Sequence, residues 1–260
     1  MPIKVSTTIR RLYQNDFGRI AYDVMRCVFD IHKEFGRFFD EKIYKRELGR
    51  RYPGTQLEVP IEVGFENFRK YYFIDALIDR CAAFEFKAVE SLTDRHRSQL
   101  LHYLLMADLP HGKLVNMRTE EVQHEFVNTA LRPSDRMKFE VVDSDWQEIG
   151  DKPVLEWFTA FLRDIGTGLD TSLYEEALTH LLGGKEQALR KVEVVSGGTV
   201  LGPQKFRLVT PDVALKITAF HTDPVPFEIQ TRRLLEHTSL EAVQWINVAR
   251  NKELFRTIRK

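Results

Sequence analysis

Cysteine is scarce in these 260 residues: Cys27 and Cys81 are the two in the chain. They supply neither a disulfide framework nor a cluster of metal-binding thiols, which fits a reducing, cytoplasmic setting. No apolar run is long enough to span a bilayer and the N-terminus carries no secretory h-region, so no membrane is expected as a partner. Excess charge is missing too, since 38 Lys and Arg balance 38 Asp and Glu. The chain therefore lacks the global basic field that drives nonspecific binding to nucleic acid. Local groups would have to serve: Arg46, Arg50 and Arg51; Arg69 and Lys70; Arg95 and Arg97. Such cations on a solvated face more often serve solubility. A hydrophobic fraction of 43% and a charged fraction of 29% are ordinary for a soluble globular chain, long enough for one large or two small domains.

What the chain does have is a stretch, Tyr72 to Tyr103, in which charge sits inside apolar sequence. Two apolar runs, Phe73 to Ile78 and Ala82 to Val89, flank the turn-prone pair Asp79-Arg80, the pattern of a β-hairpin. Side chains alternate along a strand, so Glu85 and Lys87 share a face while Phe84, Phe86 and Ala88 take the other. Strand pairing could set Asp75 beside them. Two carboxylates and an ammonium would then meet in an apolar sheet, where uncompensated charge costs several kcal/mol. A divalent cation between Asp75 and Glu85 would compensate it, because magnesium takes one or two carboxylates together with phosphate and water oxygens. A structural Asp/Glu–Lys pair would compensate it as well, and Glu-x-Lys alone is common by chance.

Asp75 followed by Glu85-x-Lys87 resembles the core of the PD-(D/E)XK nuclease superfamily. The wider context is similar to the bacterial GxxExxY proteins within it. The segments that carry the likeness are Ile31-His32-Lys-Glu-Phe-Gly36, Glu41-Lys-Ile-Tyr44, the run Glu85-Phe-Lys-Ala-Val-Glu-Ser-Leu, and His96-Arg-Ser-Gln99-Leu-Leu-His-Tyr103-Leu. One departure is Phe38, which stands where the motif has glycine three residues before Glu41. The resemblance, over residues 16 to 130, implies an α/β fold with a restriction-endonuclease-like core, a mixed central sheet flanked by helices. It implies a Mg2+ or Mn2+ ion held by Asp75 and Glu85, with Lys87 orienting the attacking water and Glu41 completing or tuning the metal site. Gln99 and Tyr103 resemble the QxxxY motif of RecB-like nucleases, whose side chains contact the substrate strand or support the site. His96 precedes them at i, i+3, i+7 on one helical face. The plainer alternatives are a salt bridge or a dipole-favoured first-turn acid for Glu41, and ordinary helix polarity for Gln99 and Tyr103.

The rest of the first half reads as alternating elements. Residues 1 to 15 look like a polar arm. Ile20, Val24, Val28, Ile31 and Phe35 form one face of a helix from Phe17 to Phe35, ended by Gly36. A second helix from Phe39 to Arg50 puts Glu41, Tyr44 and Leu48 on one side. Gln56 to Val63 reads as a strand that Pro60 confines to an edge or a bulge, and Gly64 to Lys70 as a loop. Thr93 or Asp94 caps a helix running to Ala107. A strand over Lys113 to Met117 precedes a helix from Thr119 to Leu131, broken at Arg132-Pro133-Ser134-Asp135.

The second half repeats the first. Val24, Val28, Ile31, Phe35 and Gly36 recur 130 residues later as Val154, Phe158, Phe161, Ile165 and Gly166, and Tyr44 and Leu48 as Tyr174 and Leu178. Gln99 and Asn116 recur 131 residues later as Gln230 and Asn247. In that alignment Glu41 falls on Thr171, Asp75 on Leu208, Glu85 on Ile217 and Lys87 on Ala219. The expected organisation is thus a tandem pseudo-duplication, with residues 1–140 a nuclease-like domain of GxxExxY type. Residues 141–260 would be a degenerate copy without the metal-site residues.

The expected function is metal-dependent hydrolysis of phosphodiester bonds in nucleic acid, DNA in preference to RNA, by the N-terminal half. A homodimer or an intramolecular pairing of the two repeats would suit such a chain. The alternative is a non-catalytic nucleic-acid- or protein-binding module that retains the nuclease fold. A third, weaker option is a scaffold in which Asp75, Glu85 and Lys87 form a closed ion-pair cluster.

Overall fold

The computed structural model describes residues 2–221 and 223–260. The chain divides into two units, Met1–Asp135 and Arg136–Lys260.

In the first unit a six-stranded sheet runs in chain order: β1 (Ile3–Val5), β2 (Thr55–Phe65), β3 (Phe68–Ile78), β4 (Ala82–Lys87), β5 (His111–Asn116) and β6 (Gln123–Asn128). Helices α1 (Gln14–Phe35) and α2 (Glu41–Arg51) precede β2, and α3 (Asp94–Ala107) joins β4 to β5. β4 and β5 are parallel, and the other neighbours are antiparallel. A parallel pair needs a crossover long enough for a helix, and α3 is that crossover.

The helices cover both faces of this sheet. Phe17, Val24, Val28 and Ile31 of α1 and Tyr44 and Leu48 of α2 pack with Ala76, Ile78, Phe84, Phe86 and Val115. Fully burying one such apolar side chain contributes about 1.5–3 kcal/mol. Gly112 lies three residues before Val115 and so on the opposite face. There a Cβ would meet Leu100 and Leu104 of α3 at 3.1 and 3.0 Å.

The central hairpin forms as its residues suggest. Asp79 and Arg80 take φ of 48° and 59°, the left-handed central pair of a turn that Cys81 N closes on Ile78 O at 2.9 Å and whose twist matches that of the strands. Four readings are corrected. The arm of residues 1–15 contributes Ile3–Val5, paired with Val63 to Ile61. The supposed loop over 64–70 is a turn of Glu66 and Asn67, because the ladder continues through Val63–Lys70 and Gly64–Arg69. The supposed helix over 119–131 contains strand β6. There half-buried and exposed residues alternate strictly, which is the period of a strand lying on the open edge of β5. Pro60 sits in a strand with neighbours on both sides. Its carbonyl accepts from Ser6 N at 3.0 Å, so its missing donor faces the short β1 and its pairing with Phe73 of β3 is kept.

Across the division lies the short α4 (Pro133–Arg136). The second unit contains β7 (Glu140–Asp145), α5 (Val154–Ile165), α6 (Thr171–Leu181), α7 (Lys185–Ala188), β8 (Leu189–Ser196), β9 (Thr199–Thr210), β10 (Val213–Thr218), α8 (Val225–Glu236), β11 (Ala242–Val248) and β12 (Lys252–Arg259). Its sheet order is β7-β12-β11-β10-β9-β8. β8 to β12 follow the pattern of β2 to β6: antiparallel, antiparallel, parallel across a helix, antiparallel. β7 adds in parallel beside β12, at the other end of the sheet from the place β1 takes in the first unit.

Local bonds recur with the topology. Gly36 and Gly166 end α1 and α5 at φ of 70° and 87°, where a side chain would be strained. The Tyr44 hydroxyl donates to Gly36 O at 2.8 Å and accepts from Phe39 N at 3.1 Å. The Tyr174 hydroxyl does the same with Gly166 O at 2.9 Å and Leu169 N at 3.0 Å. Asn116 clasps Val89, accepting from its N at 3.1 Å and donating to its O at 2.7 Å. Asn247 clasps Phe220 likewise, at 3.0 and 2.9 Å.

Sheet register fixes which residues of the two sheets correspond, and it corrects the sequence alignment. Lys87 pairs with Asn116 and Thr218 with Asn247, so Lys87 corresponds to Thr218 and Glu85 to Lys216. Leu77 pairs with Ala83 and Leu208 with Ala214, so Asp75 corresponds to Phe206. The β9–β10 register shifts at Val213/Ala214, an irregularity that the sequence alignment does not show. Glu41 corresponds to Thr171 as read, each being the first residue of its helix.

Candidate active site

Asp75 lies where β3 and β4 part. The ladder between them ends at Ala76–Phe84. At the next step the Asp75 side chain takes over, its Oδ2 accepting from Phe86 N at 2.8 Å. Its Oδ1 accepts from Lys45 Nζ of α2 at 2.7 Å. The same ammonium lies 3.2 Å from Glu41 Oε1 and also bonds Glu58. Burial would lower the Lys45 pKa, but the hydrogen bonds to Asp75 and Glu58 outweigh it and hold the lysine charged.

Glu85 is 1% exposed. Its Oε1 accepts from Lys87 Nζ at 2.6 Å, while its Oε2 is buried with no hydrogen-bond partner among the described residues. Burial first, and then the Asp75 charge, push its pKa up to about 8 despite Lys87. Burial and Asp75 raise Glu41 as well. Carboxyl groups pushed up by burial and by the neighbouring Asp75 are short of positive charge, and a cation would relieve them. Asp75 and the orphaned Glu85 Oε2 could serve a hard divalent ion as its two oxygen donors. Among the described residues no group of three or more His, Cys, Asp or Glu side chains is gathered in ligating geometry. Lys45 is the charge that stands among them.

The other expected residues fall on α3. Gln99 Nε2 donates to the Tyr103 hydroxyl at 2.9 Å. Tyr103 is 8% exposed, and burial lifts its pKa to about 12, so it stays a neutral donor. His96 is drawn into the helix cap, its Nδ1 accepting from Thr93 N at 3.1 Å. Burial and the nearby Lys87 lower its pKa. Much of the expected basic surface is internally paired. Arg50 and Arg51 bind Glu47. Arg97 binds Glu125 at 2.6 Å, and Arg69 lies 3.4 Å from Glu62.

Lys45 and Glu58 also belong to the site, although neither stands out in the sequence motif. Lys45 had a signal, standing four residues after Glu41 on one helical face. Glu58 had none. It takes φ of 51° opposite Asp75, a strained conformation for a residue with a side chain. Strand alternation also breaks beside it. Tyr72 packs on His102 and Tyr103 of α3, whereas Ala76 packs with α1 and α2. Strict alternation would place both on one face.

A mixed six-stranded sheet covered by helices, with acids on a helix and a strand facing Glu-x-Lys on the next strand, is consistent with the restriction-endonuclease-like class of fold. Residues 18–128 match the family model of the PD-(D/E)XK nuclease superfamily, a span that contains every residue of the site. A solved structure, the crystal structure of SSO0001, is 18% identical over 50% of this chain and 73% of that chain, with a TM-score of 0.29. None of the curated proteins matches the chain.

Proposed function

We propose that the first unit is a nuclease of the GxxExxY type that hydrolyses phosphodiester bonds, in DNA rather than RNA, with Mg2+ or Mn2+. The observation that carries this reading is Glu85: a buried carboxylate with one oxygen on Lys87 and the other unsatisfied, on the strand facing Asp75, inside the family match. A divalent ion held by Asp75 and Glu85, with Glu41 tuning the site, would polarise the scissile phosphate and acidify a water. The Lys87 ammonium orients that water and offsets charge developing on the phosphate. The Gln99 amide and the Tyr103 hydroxyl donate to the strand as a QxxxY pair, with His96 three residues before Gln99 in the first turn of α3. Tyr71 and Phe73, 54% and 46% exposed on the strand leading to Asp75, offer rings on which bases can stack.

The second unit, in this reading, is a degenerate copy. The repeated tyrosine and asparagine clasps and the repeated strand pattern support common descent of the two sheets. Thr171, Phe206, Lys216 and Thr218 at the corresponding places offer no carboxylate to a cation.

The test is a cleavage assay on single-stranded, double-stranded and structured DNA and RNA with Mn2+, wild type against Glu85→Ala. Metal-dependent cleavage that the variant loses is the expected result. If neither DNA nor RNA of any form is cut, the reading fails. Lys45 seated on Asp75 favours a second reading, a binding module that keeps the fold without cutting. Titration with Mn2+ separates the two, since a module of that kind need not bind the ion through Asp75 and Glu85.

A further inference from the structure

The second unit holds a cavity of about 390 Å³ at the place that corresponds to the candidate active site of the first. Phe206 and Lys216, the counterparts of Asp75 and Glu85, both line it. So do Glu175, at the α6 position of Lys45 in α2, and Gln230, the counterpart of Gln99.

Charge at these positions is reversed. Glu85 becomes Lys216 and Lys45 becomes Glu175. Arg190 stands opposite Phe206, as Glu58 stands opposite Asp75. Lys205 and Arg207 also line the cavity, so three cations there face one carboxylate. Arg207 is held in place by Thr179 Oγ1 at 2.8 Å and Glu175 Oε2 at 3.3 Å. A carboxylate site reaches a phosphate only through a bridging cation, whereas a lysine at the same place binds the phosphate directly.

The remaining walls suit a base. Phe227 lines the cavity and is backed by Trp245, with ring centroids 4.4 Å apart, in a cluster that includes Phe220. Phe206 adds a second ring, and the Gln230 amide offers both a donor and an acceptor. The volume lies within the range of small-ligand sites and exceeds what a bare phosphate needs.

We propose that this cavity binds a phosphate-bearing nucleoside, with Lys216 on the phosphate and Phe206 and Phe227 against the base, and without a metal ion. The ligand is either a free mononucleotide or the terminal nucleotide of a strand. The proposal rests on the sheet register and the cavity, and does not require the first unit to cut.

The test uses the full chain in EDTA, with three probes: deoxyadenosine monophosphate, inorganic phosphate, and a 12-nucleotide DNA strand with or without a 5′-phosphate. Calorimetry and fluorescence anisotropy should detect binding that Lys216→Glu weakens at least tenfold. Phe206→Ala should weaken the nucleotide but leave any phosphate binding unchanged. Lys216 is exposed, so its variant should fold, and a thermal melt checks this. Competition by the mononucleotide identifies a free-nucleotide site, and dependence on the 5′-phosphate of the strand identifies an end-binding site. Either supports the proposal. Absence of binding in EDTA, equal affinity in wild type and Lys216→Glu, or inorganic phosphate binding as tightly as the nucleotide would overturn it. Cleavage by the first unit has no bearing on these outcomes.

Discussion

Lys45 Nζ lies 2.7 Å from Asp75 Oδ1, so a side chain of α2 supplies positive charge to the acid expected to hold a metal ion. The same ammonium reaches Glu41 and Glu58, and its side chain is 8% exposed. A lysine and a divalent ion cannot both claim Asp75 at full strength.

Removing the lysine should therefore sharpen metal binding. In Lys45→Met the acids lose their cation, the metal-free protein loses stability, and Mn2+ affinity rises about tenfold or more. Calorimetry and thermal melts with Mn2+ or EDTA measure both effects. Glu58→Gln should act in the opposite sense, because it leaves Lys45 bound harder to Asp75. Unchanged Mn2+ affinity in both variants would show that Lys45 only braces the fold.

Asp75→Asn and Lys87→Ala should each reduce cleavage by roughly a hundredfold or more, the order seen when a group that stabilises charge in the transition state is lost. Asn keeps an acceptor for Phe86 N, so its effect is read with the strand junction intact. Circular dichroism and a thermal melt establish that the loss is chemical.

Tyr44→Phe and Tyr174→Phe test the repeated clasp. Each deletes a buried hydroxyl that bonds a glycine carbonyl and the backbone N–H three residues beyond that glycine. The expected cost in urea unfolding is about 1–3 kcal/mol apiece, since backbone groups are left unpaired in the core.

Glu253 predicts a pH dependence. It is 0% exposed, neither carboxylate oxygen has a hydrogen-bond partner among the described residues, and burial lifts its pKa from 4.5 to about 9. Below 4.5 both folded and unfolded chains hold the proton, and the residue costs nothing. Between 4.5 and about 9 the unfolded chain releases it while the fold keeps it, so stability falls as pH rises and levels off above that window. The limiting slope is about 1.4 kcal/mol per pH unit. Glu253→Gln should abolish this contribution and be the more stable protein at pH 8, by roughly 2–4 kcal/mol. Urea unfolding at pH 5 and pH 8 checks it; equal pH dependence in the two proteins would refute it.

Elements that repeat a local pattern are legible in the residues alone: the α1 face of Val24, Val28 and Ile31, the Asp79-Arg80 hairpin, the cap at Thr93, and the nearness of Glu85 to Lys87. Each depends on residues a few positions apart, where helix and strand periods leave little choice. Strand β6 was misread because half-buried alternation on a sheet edge is a weak signal until β5 is there to pair with. Tertiary structure alone decided that Lys45 would enter the acid cluster, that Glu58 would strain its backbone opposite Asp75, and that Lys216 would fall at the place of Glu85. These relations join residues of different elements, and their register is set by packing of whole sheets and helices, a property no single segment encodes.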